Sequence, residues 1–311
     1  MTDLRQRRLL VLCLATVYLV WGTSYMATRI GVLNLPPLLF GGIRFAISGV
    51  LLLAVAWWRG AQLEPLVREW RHVLAMALLG VALCNGLQVW AMQWVPSHSA
   101  ALLNASSALW IVIFGLFGAR SHRPPSRAVA GLVIGFIGTT VLVTSAAGGQ
   151  AGSASATWTA DASPLVPQLA ILLACMIWSL GTIYMRNAGR SLDLFAFGGA
   201  QMLVGGVLMA LAGAARGELA DWTFSPAGLA AMAYLVVFSS CFAYTAYWWL
   251  ARHATPAQTG TYSYVNPAIA SVVGFVFLDE RMSALQFVGA AVILIGVLLI
   301  NWPAKETTGP T

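Results

Sequence analysis

From Leu9 almost to Trp302 the chain passes through one apolar block after another, each about 20 residues long and parted from the next by a few charged, proline or glycine residues. A run of that length is what a helix needs to cross the hydrocarbon of a bilayer. Of the 311 residues 59% are apolar and only 9% charged, and the mean hydropathy is +0.79. A soluble domain hides one apolar stripe per helix, whereas these blocks are apolar all round. An ordinary soluble enzyme is therefore excluded, and an all-α integral membrane protein is expected.

The runs predict ten transmembrane helices at roughly 9–30, 36–58, 71–94, 97–119, 127–147, 166–187, 194–215, 227–252, 256–278 and 283–303. Five fall in 1–147 and five in 166–303, leaving a linker at 148–165 and a tail at 304–311. The linker is rich in Gly, Ala, Ser and Thr and reads as flexible. With the N-terminus inside, thirteen basic residues fall on the cytoplasmic side: Arg5, Arg7, Arg8, Arg59, Arg68, Arg71, Arg120, Arg123, Arg127, Arg186, Arg190, Arg252 and Lys305. Three (Arg29, Arg216, Arg281) fall outside, so both termini are expected in the cytoplasm and the linker on the outer side. The net charge of +7 then reflects orientation, and no nucleic-acid partner is expected. The apolar run after Arg8 continues to Ile30, too long for a cleaved signal segment. Cys13, Cys84, Cys175 and Cys241 all lie in apolar runs and lack metal-site spacing, so they read as packing residues and no cofactor is expected.

A shift of 157 residues lays one half of the chain on the other without a gap. Trp21 falls on Trp178, Arg29 on Arg186, Phe40-Gly41-Gly42 on Phe197-Gly198-Gly199, Gly49-Val50-Leu51 on Gly206-Val207-Leu208, and Cys84 on Cys241. A shift of 158 then brings Gly131 onto Gly289 and Gly138 onto Gly296. Five spans per half is an odd number, so the second copy must enter the membrane inverted, as in the repeats of secondary transporters. Two inverted copies supply two nearly equivalent states, one open to each side.

Several stretches carry a resemblance to a known family. Trp21-Gly22-Thr23-Ser24 with Arg29, Pro36-Pro37 before Phe40-Gly41-Gly42-Ile43-Arg44-Phe45, Tyr262-Ser263-Tyr264-Val265-Asn266-Pro267, and Glu280 ahead of a glycine-rich last span resemble the EamA-type family of the drug/metabolite transporter superfamily. The resemblance covers nearly the whole chain. It implies a ten-helix exporter of amino acids, other small metabolites or drugs across the inner membrane. One departure is Ala108, near which the family pattern suggests a proline matching Pro267, so a helix break there has no proline behind it.

No Asp or Glu falls inside a predicted span, which argues against a carboxylate relay for a coupling ion and suggests flux that responds little to a pH gradient. His98, at the start of the fourth span, is either a proton acceptor near the outer mouth or a polar helix-start residue facing water. Arg44, about eight residues into a span, either meets a substrate carboxylate or watered vestibule, or snorkels to the surface or helix-end carbonyls. Its repeat mate is the neutral Gln201.

Trp21 and Trp178 are repeat mates about twelve residues into their spans, away from the interfacial belts that explain Trp57, Trp58, Trp70 and Trp302; they either line a central cavity or pack helices. Tyr25 follows Trp21 by one turn. Asn85 and Gln88 in the third span, and Tyr244, Tyr247 and Trp248 in the eighth, should turn their polar groups inward. Tyr262 and Asn266 are four apart, and Pro267 frees the carbonyl of Ser263. The candidate substrate-binding residues are thus Trp21, Tyr25, Arg44, Asn85, Gln88, Trp178, Tyr244, Trp248, Tyr262 and Asn266.

An aromatic, mostly uncharged cavity suits aromatic and other large neutral amino acids and disfavours sugar phosphates and polyanions. Alternating-access export is the leading expectation, with a passive channel or facilitator for small amphipathic solutes or drugs as the alternative. No metalloprotease helix motif, P-loop or serine–histidine arrangement points to an enzyme. The partners implied are a small solute and the lipid bilayer, and one protomer is enough for the mechanism.

Overall fold

A computed structural model of the chain describes residues 2–115, 126–148, 165–187, 192–254 and 261–301. Of the expected linker at 148–165 all but its first and last residues, and the whole expected tail at 304–311, lie outside these residues. All the regular structure described is helical. Helix α1 is Thr2–Asn34, α2 Pro37–Trp58, α3 Trp70–Ala91, α4 Ser97–Phe114, α5 Ser126–Gly148, α6 Leu165–Asn187, α7 Leu194–Ala215, α8 Pro226–His253, α9 Tyr262–Leu278 and α10 Ala284–Asn301. Eight of these, α1 to α8, are long and apolar enough to cross a membrane. The last two contain shorter apolar helices, Val265–Leu278 and Ala284–Leu299.

Local chemistry sets several boundaries. Pro36 and Pro37 end α1 and start α2, because a proline disfavours helix in the residue before it and fits the first helical position, where no N–H is needed. Asp193 caps α7, its Oδ1 accepting the N–H groups of Phe195 and Ala196 at 2.9 Å each. Both α2 and α7 are followed by a glycine in the left-handed region, Gly60 at φ 77° and Gly217 at φ 85°, where a side chain would be strained.

Three helices are irregular inside. In α3 the turns Ala77–Leu83 are π-helical, and in α8 so are Leu235–Ala243. Helix α4 pauses at Ser106, after Ser97–Ala105 and before the turns that start at Ser107, with no proline present. Helix α6 offers donors at that pause. Ser179 Oγ donates to the carbonyl of Ser107 at 3.0 Å and the Cys175 thiol to that of Leu103 at 3.5 Å. The break that proline would have caused is therefore made by serines and stabilised by a neighbouring helix. In α9 Pro267 sits inside the helix, and Ser271 Oγ donates to its carbonyl at 2.7 Å.

Two helix pairs have the closest backbones, α2 with α7 and α5 with α10. A Cβ at Gly42 would lie 2.8 Å from the Gly206 carbonyl oxygen, and one at Gly199 would lie 2.9 Å from that of Gly49. Gly138 and Gly289 meet reciprocally, and a Cβ at Gly296 would lie 2.7 Å from the Gly131 carbonyl oxygen. These glycines bring helices together within one protomer. Apolar side chains also cover the outside, as lipid contact requires: Val133, Ile137, Leu211 and Phe275 are each more than half exposed.

Candidate functional site

Seven helices contribute to a cavity of about 90 Å³ in the bundle. Helix α1 offers Trp21, Ser24, Tyr25 and Thr28, a single face at i, i+3, i+4 and i+7. Arg44 comes from α2; Cys84, Asn85, Gln88 and Val89 from α3; Asn104 and Ser107 from the two sides of the α4 pause. Trp178 of α6, Ser239 and Tyr244 of α8, and Tyr262 of α9 complete the wall. No carboxylate is among these residues.

Trp21 is the hub of the aromatic side. Its ring centroid lies 6.3 Å from Trp178, 5.3 Å from Tyr244, 5.0 Å from Tyr247 and 5.5 Å from Tyr262. Most of these rings meet edge to face, the arrangement aromatic quadrupoles favour. Trp178 closes the group at 6.0 Å from Tyr244 and 5.7 Å from Tyr247. On the polar side, Asn85 donates to the Gly80 carbonyl at 2.9 Å, a partner the π-helical turns present, and to the Tyr244 hydroxyl at 3.4 Å.

Of the ten residues nominated from the sequence, eight stand in this wall: Trp21, Tyr25, Arg44, Asn85, Gln88, Trp178, Tyr244 and Tyr262. Trp248 and Asn266 do not. Trp248 is buried against Tyr247, 5.5 Å between centroids, and Asn266 is buried in α9. The indole N–H of Trp248 and the side-chain carbonyl of Asn266 have no hydrogen-bond partner among the described residues. Ser24 and Thr28 were within reach of the sequence, since they extend the Trp21–Tyr25 face by one turn. Asn104 and Ser107, three apart in an apolar run, are a similar signal. Ser239 gave none beyond being a small polar residue in such a run.

Arg44 does not snorkel. It is 5% exposed, its Nε donates to Ser240 Oγ at 3.1 Å and its Nη2 to Ser239 Oγ at 3.2 Å, both from the π-helical turns of α8. Its guanidinium carbon lies 4.5 Å from the centroid of the Phe45 ring.

A second polar cluster sits where the loop after α9 meets the start of α4. Glu280 folds back so that its carboxylate accepts the Ser97 N–H at 2.8 Å, the Ser97 hydroxyl at 2.7 Å, the His98 N–H at 3.2 Å and His98 Nδ1 at 2.9 Å. Gly274 leaves the space, since a Cβ there would lie 2.6 Å from that carboxylate. Burial alone would raise the Glu280 pKa, but the bonds from His98 and Ser97 outweigh it and hold the carboxyl at about 2. His98 is 2% exposed, so the water-facing position expected for it is corrected. Arg29, counted from the sequence among outer loop charges, lies inside α1, 6% exposed, and donates to the Met92 carbonyl.

A wider recess of about 600 Å³ lies at the junction of α1 and α2, with Trp90, Arg216, Glu218 and Asp221 on its walls. There Glu218 accepts the Leu39 N–H at 2.9 Å, near the start of α2. Its walls carry Arg216 and two acids, whereas the smaller cavity is walled by aromatic rings, amides, hydroxyls and Arg44. No group of three or more His, Cys, Asp or Glu among the described residues could hold a metal ion.

The sequence model of the EamA-like transporter family matches twice, over residues 8–144 and 166–302. The chain is 33% identical over 319 residues to the uncharacterized inner membrane transporter YedA of Escherichia coli strain K12, covering 99% of this chain and 97% of that one. It is 26% identical to the uncharacterized transporter YvbV of Bacillus subtilis, covering 94% and 92%. One crystal structure shares the fold with a TM-score of 0.63 at 23% identity, over 94% of this chain and 96% of that one.

Proposed function

The chain belongs to the EamA-like transporter family and is a membrane transporter, and on that premise we propose that it is an inner-membrane secondary exporter of amino acids, aromatic and other large neutral ones foremost. The observation that carries this reading is the ring group around Trp21, set beside amides and hydroxyls in one cavity. Rings grip an apolar side chain, and the amides of Asn85 and Gln88 offer hydrogen bonds to its polar end.

Alternating access through two inverted five-helix repeats is the mechanism, with ten spans and both termini in the cytoplasm. Two features support it. Contacts come in repeat-related pairs: Gly42 meets Gly206, and their repeat mates, Gly199 and Gly49, meet in turn, as expected of a two-fold axis in the membrane plane. The π-helical turns of α3 and α8 start 158 residues apart, the shift that also relates the glycines of α5 and α10. A cavity of about 90 Å³ is also smaller than the roughly 300–1,000 Å³ that holds a drug-sized solute. Phenylalanine therefore enters only as helices part, which an exchange of states provides and a standing pore does not.

Purified protein in liposomes should carry labelled phenylalanine with saturation. Non-saturable leakage would point to a passive facilitator, and no flux over a wide panel of solutes would remove the transport substrate class proposed here.

A further inference from the structure

The cavity has a charge that nothing among the described residues balances. Arg44 is buried, and the two side chains that hold it, Ser239 and Ser240, are neutral hydroxyls. Hydroxyls orient a guanidinium but do not neutralise it. Among the described residues no carboxylate pairs with Arg44, and none lines the cavity it faces. A cation kept out of water without a counter-charge costs several kcal/mol, a cost usually met by a partner acid or by a ligand. A guanidinium also carries five N–H donors in a planar fork that matches a carboxylate, and the two serines occupy two of its nitrogens.

The position of the charge is equally specific. Its anchors come from irregular turns of α8, so the fork is fixed across two helices rather than free to swing toward a membrane surface. Tyr244, one turn beyond Ser240, joins it to the ring group, 6.1 Å from Phe45 and 5.3 Å from Trp21. One fixed cation and one aromatic wall thus share a single small space.

Resting on the transport reading above, we propose that Arg44 is the carboxylate-docking residue of the cavity: the solute it takes carries one carboxylate on an apolar or aromatic body, and organic cations without a carboxylate are rejected. Neutralisation is mutual. A monoanion or zwitterion brings the charge that Arg44 lacks, whereas a bare amine adds a second positive charge to a cavity with no acid. A dianion leaves one charge unmet, which limits the class to single carboxylates.

The test uses three molecules of nearly one shape: 3-phenylpropionate with a carboxylate alone, phenylalanine with both groups, and phenethylamine with an amine alone. Binding to the purified full-length protein is followed by the fluorescence of its tryptophans, two of which line the cavity. Both carboxylates should bind and phenethylamine should not. Arg44→Gln should weaken carboxylate binding by about tenfold or more, the loss expected of a charged hydrogen bond, and Arg44→Lys should restore part of it because charge remains while the fork is lost. Equal or tighter binding of phenethylamine to the unaltered protein, binding of neither carboxylate, or undiminished carboxylate binding in Arg44→Gln each overturns the proposal. The wild-type contrast stands even where a variant folds poorly. A protein that binds the carboxylates through Arg44 yet shows no saturable flux keeps this inference and loses the transport reading.

Discussion

Arg29 and Arg44 are both arginines buried among apolar helices, yet their surroundings differ in kind. Arg29 donates to a main-chain carbonyl at the end of α3, and the Glu280 carboxylate is close enough to act on it electrostatically. Around it Ser97, His98 and Glu280 form a set in which the acid accepts four hydrogen bonds and caps the start of α4. Arg44 has two hydroxyls and a cavity. Charge is balanced where it ties helix ends together and unbalanced where it faces the cavity.

That contrast has consequences of different size. The largest belongs to Glu280. Glu280→Gln keeps the shape but turns an amide N–H toward donors that need an acceptor, and removing one partner of a buried ionic set costs on the order of 3–5 kcal/mol. Thermal unfolding of the purified variant should show that loss, and an unfolding temperature close to wild type would make the cluster incidental. Acid reads the same residue without mutation. Because folding holds the carboxyl at about 2, below its ordinary 4.5, its stabilisation is complete above about pH 5 and fades as pH falls from there toward 2. The unfolding free energies of wild type and Glu280→Gln should therefore converge over that window, by roughly 3 kcal/mol. A constant difference from pH 6 to pH 3 would contradict the assigned shift.

The cavity side should behave otherwise. Trp178→Ala removes a ring that meets three others, worth about 2 kcal/mol at 0.5–1.5 kcal/mol per pair. Its effect on phenylalanine flux should exceed its effect on folded yield; unchanged flux would return Trp178 to packing alone. Arg44→Gln should change stability by less than about 1 kcal/mol in either direction, since it deletes two hydrogen bonds and an unbalanced charge together. A loss as deep as that of Glu280→Gln would erase the contrast.

Much of this arrangement was legible in the residue order. The apolar runs read as 36–58 and 194–215 are the helices Pro37–Trp58 and Leu194–Ala215, because membrane spans announce themselves by length and by the prolines and glycines that end them. Trp21, Tyr25, Asn85 and Tyr244 could be nominated because polar or aromatic groups in an apolar run must turn inward. The spacing of Gly60 and Gly217, 157 apart, was a further mark of the repeat left unread. What stayed hidden depends on geometry that has no local pattern. Glu280 reads as a loop acid, and its burial follows from Asp279 adopting φ 50°, which turns the chain back onto α4. The pause at Ser106 needs donors from α6, a helix some 70 residues later in the chain. Trp248 and Asn266 share the chemistry of the wall but lie behind it, a matter of helix rotation that spacing alone does not fix.

The smallest effect tests whether the Glu280 cluster works through contact or through charge at large. Arg281 follows Glu280 directly, but its side chain is 80% exposed and faces Asp279, itself 82% exposed, at 3.5 Å. Exposed pairs of this kind contribute little, because water screens both charges and the side chains lose freedom in pairing. Arg281→Ala should thus shift stability by less than about 0.5 kcal/mol, and the shift should vanish at high salt. If it matched Glu280→Gln, the net charge of the loop would be holding α4 in place, and the four short bonds to the carboxylate would no longer explain the difference between the two arginines.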